Sequence, residues 1–172
     1  MKKLVLAVLC LSLFAVCSSE IAYGSDEEEV VVVYVCNEQL LQKYPNVEAI
    51  KAQFGSEAKW QESTQPSIHE PDLELQVTEM EHSGVEMSTL GYKLEDEYRF
   101  FITKLYVKKA GFVDFLGVDV GSAREDVVKS FGEPQEIDSN VLIYHDEGEF
   151  NYIRFTIENN NVAEMIFNAY LD

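Results

Sequence analysis

One cysteine and one histidine–aspartate pair are the residues best suited to covalent chemistry in this chain. Cys36 would supply a nucleophilic thiolate, with His145 as general base and Asp146 behind it. Such a hydrolase or metal-dependent enzyme requires the thiol and the imidazole to meet at hydrogen-bonding distance. Cys36, however, directly follows an apolar run, where a free cysteine behaves as a small apolar side chain. The pattern therefore favours a structural cysteine and a non-enzymatic protein.

The other familiar catalytic and metal-binding patterns are missing from the sequence. Its three histidines, at 69, 82 and 145, form no i, i+4 helical pair, and there is no HExxH or CxxC motif. The sequence also lacks GxSxG, GxGxxG and P-loop motifs. The polar stretch His145–Glu149 is typical of a solvated turn, with weak metal or calcium binding as the alternative. We expect no catalytic residue, no metal and no cofactor.

The balance of charges restricts the kind of partner. The 172 residues contain 31 acidic and 13 basic side chains, which gives a formal net charge of −18. This balance argues against nucleic acid, because binding to phosphate requires a positive surface. An acidic surface is explained by solubility alone, but it also favours basic partners through complementary fields.

The first residues resemble an export signal. Two lysines precede the apolar run Leu4–Val16, which is shorter than the roughly 20 residues that cross a bilayer. The small residues Ala22 and Gly24 predict cleavage after Gly24, which gives a signal peptide at 1–24. Alternatively, "FAVC" predicts a lipoprotein signal at 1–16, with Cys17 acylated. The protein is then periplasmic or secreted in the first case, and an outer-membrane lipoprotein in the second. In both cases Cys36 is the sole unmodified cysteine, so an intramolecular disulfide is excluded.

Residues 25–110 predict helices followed by an antiparallel meander. The β-branched run Val30–Val35 predicts a buried strand, and residues 56–72 predict a loop. The other expected elements are a helix over 38–44 capped by Asn37, a helix from the cap Asn46 to Gly55, and strands Leu73–Val77, Val85–Leu94 and Tyr98–Lys108.

Residues 111–172 predict a similar order of elements. Ser122 and Glu125 fit a capping box at the start of a helix that ends at Gly132, before Pro134. The strands that follow are Val141–Tyr144, Tyr152–Ile157 and Val162–Tyr170, with a turn at Asn159–Asn161 between the last two.

Both helices end in Phe-Gly, and superposing Phe54 on Phe131 aligns their apolar faces. This agreement predicts an internal duplication. The predicted fold class is therefore α+β: two tandem helix-plus-antiparallel-sheet repeats, separate or fused into one sheet, with the helices packed on one face.

The stretches "GVDVGSAREDVVKSFGEP" and "LIYHDEGEFNYIRFTIENNNVAEMIF" carry a resemblance to known exported bacterial domains. They are similar to β-lactamase-inhibitor-protein-like repeats and to outer-membrane-assembly lipoproteins of the SmpA/OmlA type. The match covers 111–172 well and 46–108 only loosely. It rests on Gly117, Gly121, Ser122, Val127, Gly132, Pro134, Tyr144 and Phe155. The resemblance implies an architecture, and a protein that binds other proteins or scaffolds the envelope.

Aromatic residues on both faces of the predicted strands favour a binding surface. Tyrosine, tryptophan and arginine are the usual energetic anchors of protein interfaces. The predicted binding residues are Trp60, Tyr98, Tyr106, Tyr152, Arg154 and Tyr170. The alternative is that these rings simply pack on helices and loops.

The sequence thus predicts a non-enzymatic exported or envelope-associated protein that binds another protein, either basic or envelope-associated. An inhibitor of a secreted enzyme, using the loop Gln61–Asp72, is the alternative.

Overall fold

The computed structural model describes residues 29–146 and 148–170, which form three α-helices and eight β-strands. A 3-10 turn, Gly55–Glu57, follows the second helix. The helices are α1 (Glu29–Lys43), α2 (Val47–Phe54) and α3 (Arg124–Phe131). The strands are β1 (Lys59–Pro66), β2 (Glu74–His82), β3 (Val85–Leu94), β4 (Glu97–Val107), β5 (Glu136–Asp138), β6 (Val141–His145), β7 (Tyr152–Glu158) and β8 (Asn161–Asn168).

All eight strands belong to one antiparallel sheet with the order β1-β2-β3-β4-β8-β7-β6-β5. Residues Lys104–Val107 of β4 pair with Met165–Asn168 of β8 and join the first four strands to the last four at the centre of the sheet. The predicted fold of two tandem helix-plus-sheet repeats is wrong. A single sheet dominates the molecule, and one continuous hydrophobic core runs beneath it.

The core lies on one face of the sheet, beneath the helices and the segment that follows β4. Apolar side chains of β3, β4, β6, β7 and β8 meet those of all three helices there. Phe115, Phe155 and Phe167 are fully buried in this layer. Burial of so much apolar area is the main term that stabilises the fold.

The start of the described chain differs most from expectation. Residues 30–35 lie within α1, so the predicted strand Val30–Val35 is wrong, and Asn37 is an interior residue of this helix rather than a cap. Cys36, Leu40 and Tyr44 are spaced at i, i+4 and i+8, and all three are buried. Cys36 and Leu40 lie in α1 and Tyr44 directly follows it, and α1 packs against β4 and β6. Tertiary packing of this stripe outweighs the local β propensity of the valines.

The predicted loop 56–72 is also wrong in part, because Lys59–Pro66 form β1 and pair with Glu74–Glu81 of β2. Nearly every residue of β1 is exposed. An outer strand that buries neither face needs no apolar alternation, so its sequence resembles a loop. The predicted inhibitor loop Gln61–Asp72 therefore begins inside a strand.

The observed helix ends agree more closely with those predicted from the sequence. Asn46 caps α2 as predicted, since its Oδ1 accepts the N–H of Ala49 at 2.9 Å. The predicted capping box of α3 is displaced by one residue: the carboxylate of Asp126 accepts the N–H of Ala123 at 3.2 Å. Ser122 Oγ instead accepts the N–H of Asp119 at 3.0 Å. Short polar side chains at a helix start satisfy amides that lack helical partners.

Candidate protein-binding face

The strand register assigns each side chain to one of two faces, because directly paired residues share a face. We call the side opposite the helices the open face. At the centre of the sheet it carries Lys104, Tyr106, Ile143, His145, Tyr152, Arg154, Thr156, Glu164, Ile166 and Asn168. Among the residues that the structure describes, no helix covers this side.

The structure divides the six predicted binding residues between the two sides of the sheet. In β4, Thr103 is an extra residue: Ser88 pairs with Lys104, whereas Thr89 pairs with Ile102. Such a bulge reverses the alternation of side chains along the strand. Tyr98 therefore lies on the helix side with Trp60, whereas Tyr106 lies on the open face.

Tyr152 and Arg154 also lie on the open face, so three of the six residues come together there. Tyr170 follows β8 and is 53% exposed. Its ring lies 5.6 Å, centroid to centroid, from that of Phe150, which is 61% exposed and was not among the predicted residues.

Trp60 and Tyr98 are each held by contacts on the helix side. The indole Nε1 of Trp60 donates to the carbonyl of Gly55 at 3.0 Å, and Lys51 Nζ lies 5.9 Å from the ring centroid. Tyr98 packs over Gly91 and donates to Gln76 Oε1 at 3.3 Å. Burial, with a smaller contribution from Glu48, raises the pKa of Tyr98.

Glu164 is the most connected polar side chain of the open face. Its carboxylate accepts hydrogen bonds from Tyr106 Oη and Thr156 Oγ1, each at 2.9 Å, and Lys108 Nζ lies 3.2 Å away. Burial alone would raise the pKa of Glu164, but the bonds from Thr156, Tyr106 and Lys108 outweigh it and lower this pKa. Glu164 is therefore an ionised carboxylate held in one position.

A row of large side chains crosses the open face beside Glu164. Tyr106 pairs with Ile166, Ile166 pairs with Arg154, and Arg154 pairs with Ile143. The guanidinium carbon of Arg154 lies 4.2 Å from the ring centroid of Tyr152, a cation–π distance. Arg154 Nε is buried and has no hydrogen-bond partner within the described part of the chain.

Most aromatic pairs nevertheless belong to the core. Tyr44, Phe54 and Phe112 form one buried group beneath the sheet. Phe131, Tyr144 and Phe155 form another, and Phe115 pairs with Phe167. The high aromatic content is thus largely explained by packing, and it does not by itself mark a binding surface.

The residues proposed for nucleophilic catalysis do not assemble. Cys36 is 0% exposed beneath the helix side of the sheet, and burial raises the pKa of its thiol, which disfavours the thiolate. His145 lies on the open face, and its Nδ1 is 2.8 Å from the carbonyl oxygen of Asp146. Thiol and imidazole are therefore on opposite sides of the sheet.

The carboxylate of Asp146 is hydrogen-bonded within the turn that follows β6. Asp146 accepts hydrogen bonds from the backbone N–H groups of Phe150 and Asn151 and from the side chain of Asn151. Within residues 29–146 and 148–170, no three His, Cys, Asp or Glu side chains converge in a way that would hold a metal ion.

Comparison of the chain with family models, curated proteins and solved structures finds no match. Of the three helices in the described residues, none is long and apolar enough to cross a membrane. The predicted signal segments 1–24 and 1–16, including Cys17, lie outside the described residues.

Proposed function

We propose that this chain is a non-enzymatic, exported or envelope-associated protein that binds a basic partner protein through the open face of its sheet. The observation that carries the proposal is the half-buried Tyr106–Ile166–Arg154 row on the side without helices, which the buried Ile143 continues. Tyrosine and arginine are the residue types that dominate binding energy in protein interfaces.

The arrangement of Tyr152 and Arg154 supports this proposal. The two side chains are already stacked on each other, with Arg154 half-buried. Side chains fixed before binding lose less conformational entropy when a partner docks. Together they offer a flat contact surface that is already ordered before a partner docks.

Charge supports a basic partner. The net charge of −18 steers basic proteins toward the chain and raises their association rate. The fixed carboxylate of Glu164 lies beside the row, where a lysine or arginine of the partner would share it with Lys108.

A photo-cross-linking residue at Lys104, on the open face, tests the proposal in the native host. We expect cross-links from position 104 to a partner protein, and none to that protein from position 129, which is exposed on α3 on the helix side. With the cross-linked partner purified, Tyr152→Ala and Arg154→Ala should each weaken binding about tenfold or more. Lys129→Ala is the control and should change the Kd less than about twofold. Equal losses for Lys129→Ala and Tyr152→Ala would contradict the proposed face.

Export itself has a direct test, which is the intact mass of protein purified from its native host. A chain beginning at Ser25 is expected after simple cleavage, and one beginning at Cys17 with added acyl chains is expected for a lipoprotein. Either mass agrees with export, whereas an unprocessed chain beginning at Met1 would contradict it.

A further inference from the structure

The outer strand β1 presents a defined set of backbone groups at the edge of the sheet. Ser67 N–H donates to the carbonyl of Leu73 at 2.8 Å, and this pair continues the β1–β2 register by one residue beyond Pro66 and Glu74. Along an antiparallel ladder, residue pairs that are hydrogen-bonded to each other alternate with pairs that are not, and on an outer strand the latter point their backbone groups away from the sheet.

It follows that the backbone groups of Gln61, Ser63 and Gln65 hydrogen-bond to β2, as the N–H of Ser67 does. Trp60, Glu62 and Thr64 then point their backbone N–H and C=O groups away from the sheet. Pro66 occupies the next outward position, where its missing N–H removes no bond of the ladder, as is usual for proline at a sheet edge.

This edge is accessible in the described structure. No strand of residues 29–146 and 148–170 pairs with the outer side of β1. The side chains of Lys51 and Glu62, which form an ion pair beside it, are 43% and 56% exposed. An open cleft with a volume of about 560 Å³ adjoins the edge, between α2 and the sheet, and Glu48, Thr64 and Tyr98 contribute to its lining.

We propose that β1 binds an extended segment of a basic partner protein as a ninth strand, paired backbone to backbone along Trp60, Glu62 and Thr64. An unpaired edge strand is a template for a further strand, and main-chain bonds then supply most of the affinity. A lysine or arginine of the added strand would share Glu62 with Lys51 and lie near Glu48, and the net charge of −18 favours a basic segment.

Charge also argues against a second copy of this chain as the added strand. A two-fold antiparallel pair that uses all three outward residues places Glu62 opposite Glu62, and like charges directly opposite are destabilising. Each copy also carries a net charge of −18. This edge is separate from the open face, so the inference goes beyond the proposed function and either surface can fail alone.

Hydrogen exchange on the exported protein tests the edge directly, with the synthetic peptide KVKTKVKTKV as the probe. In the free protein, the amides of Trp60 and Glu62 should exchange at least about tenfold faster than those of Gln61 and Ser63. Saturating peptide should slow the two outward amides at least about tenfold, because they then donate to the added strand. Peptide that binds by charge alone leaves their exchange unchanged, and that result would overturn the proposal.

A matched pair of variants separates backbone pairing from side-chain contact. Thr64→Pro removes an outward N–H, whereas Thr64→Ala keeps it, and neither changes the charge. Thr64→Pro should weaken peptide binding about tenfold or more, and Thr64→Ala less than about twofold. Equal binding by the two variants overturns the proposal, and the exchange pattern of the unaltered protein decides the question should Thr64→Pro fail to fold.

Two further outcomes are informative. Protection of the outward amides that rises with protein concentration, without peptide, would identify a second copy as the occupant and overturn the basic partner. Tyr152→Ala, on the open face, should leave the protection by peptide unchanged, which separates failure of the edge from failure of the proposed function.

Discussion

Glu164 gives the open face an anion of fixed position. Its three partners come from β4, from β7 and from the residue that follows β4, so its carboxylate links both sides of the β4–β8 seam. The same contacts orient the ring of Tyr106, whose hydroxyl donates to this carboxylate. A polar group whose hydrogen bonds are already made and whose position is fixed loses little conformational entropy when a partner binds.

Replacing this carboxylate by an amide should show its contribution to stability. The folded pKa of Glu164 lies below its ordinary value of 4.5, so its contribution is fully present above that value and is lost as the pH falls through the folded pKa. Glu164→Gln should lower the free energy of unfolding at pH 7 by about 1 kcal/mol. Denaturant unfolding at several pH values should show this difference shrinking below about pH 4.

The exposed Glu158→Gln, on the same hairpin, is the control and should change the unfolding free energy by less than about 0.5 kcal/mol. A deficit of Glu164→Gln that stays constant from pH 7 to pH 3 would show that the charge of this group is not what stabilises the fold.

Among the elements, β4 decides which aromatic residues share a face. Strict alternation predicts Tyr98 and Tyr106 on the same side, but the extra residue Thr103 separates them. Thr103 Oγ1 donates to the carbonyl of Ser88 at 3.2 Å within this irregularity. A bulge requires no residue type that distinguishes it from a regular strand, so alternation in the sequence does not reveal it.

Elements with one buried face were predicted well from the sequence. β3 has the predicted bounds, and α2 starts after the predicted cap, because alternation, helical spacing and caps all agree there. The missed elements obey other constraints. α1 is set by packing against β4 and β6, and the polar β1 and three-residue β5 bury no regular stripe.

The candidate face was predictable only within a hairpin. Alternation along β7 correctly places Tyr152 and Arg154 on the same side, because these residues are two apart in one strand. Their proximity to Tyr106, and the contact of Tyr106 with Glu164, depend on the β4–β8 pairing, which brings together residues about 60 positions apart. Such long-range register is set by the assembled core, which no local pattern encodes.

At the scale of the whole molecule, the β4–β8 seam joins two runs of strands through four residue pairs. The hydrophobic core beneath is continuous across the seam, from α2 and β3 on one side to α3 and β7 on the other. Contiguous burial couples the unfolding of packed elements, so the molecule is expected to lose its structure in one transition.

Leu105 tests this coupling, because it is 0% exposed and pairs with Phe167 across the seam. Leu105→Ala should lower the free energy of unfolding by about 2–5 kcal/mol, through lost burial and the cavity left behind. Exposed Leu94→Ala is the control, expected within about 0.5 kcal/mol of the unaltered protein. Fluorescence of Trp60, the only tryptophan, reports on β1 at one edge, and far-UV circular dichroism reports on the whole sheet. The two transitions should coincide in both variants. Loss of the Trp60 signal at lower denaturant than the dichroism would mean that the β1 side of the seam unfolds on its own.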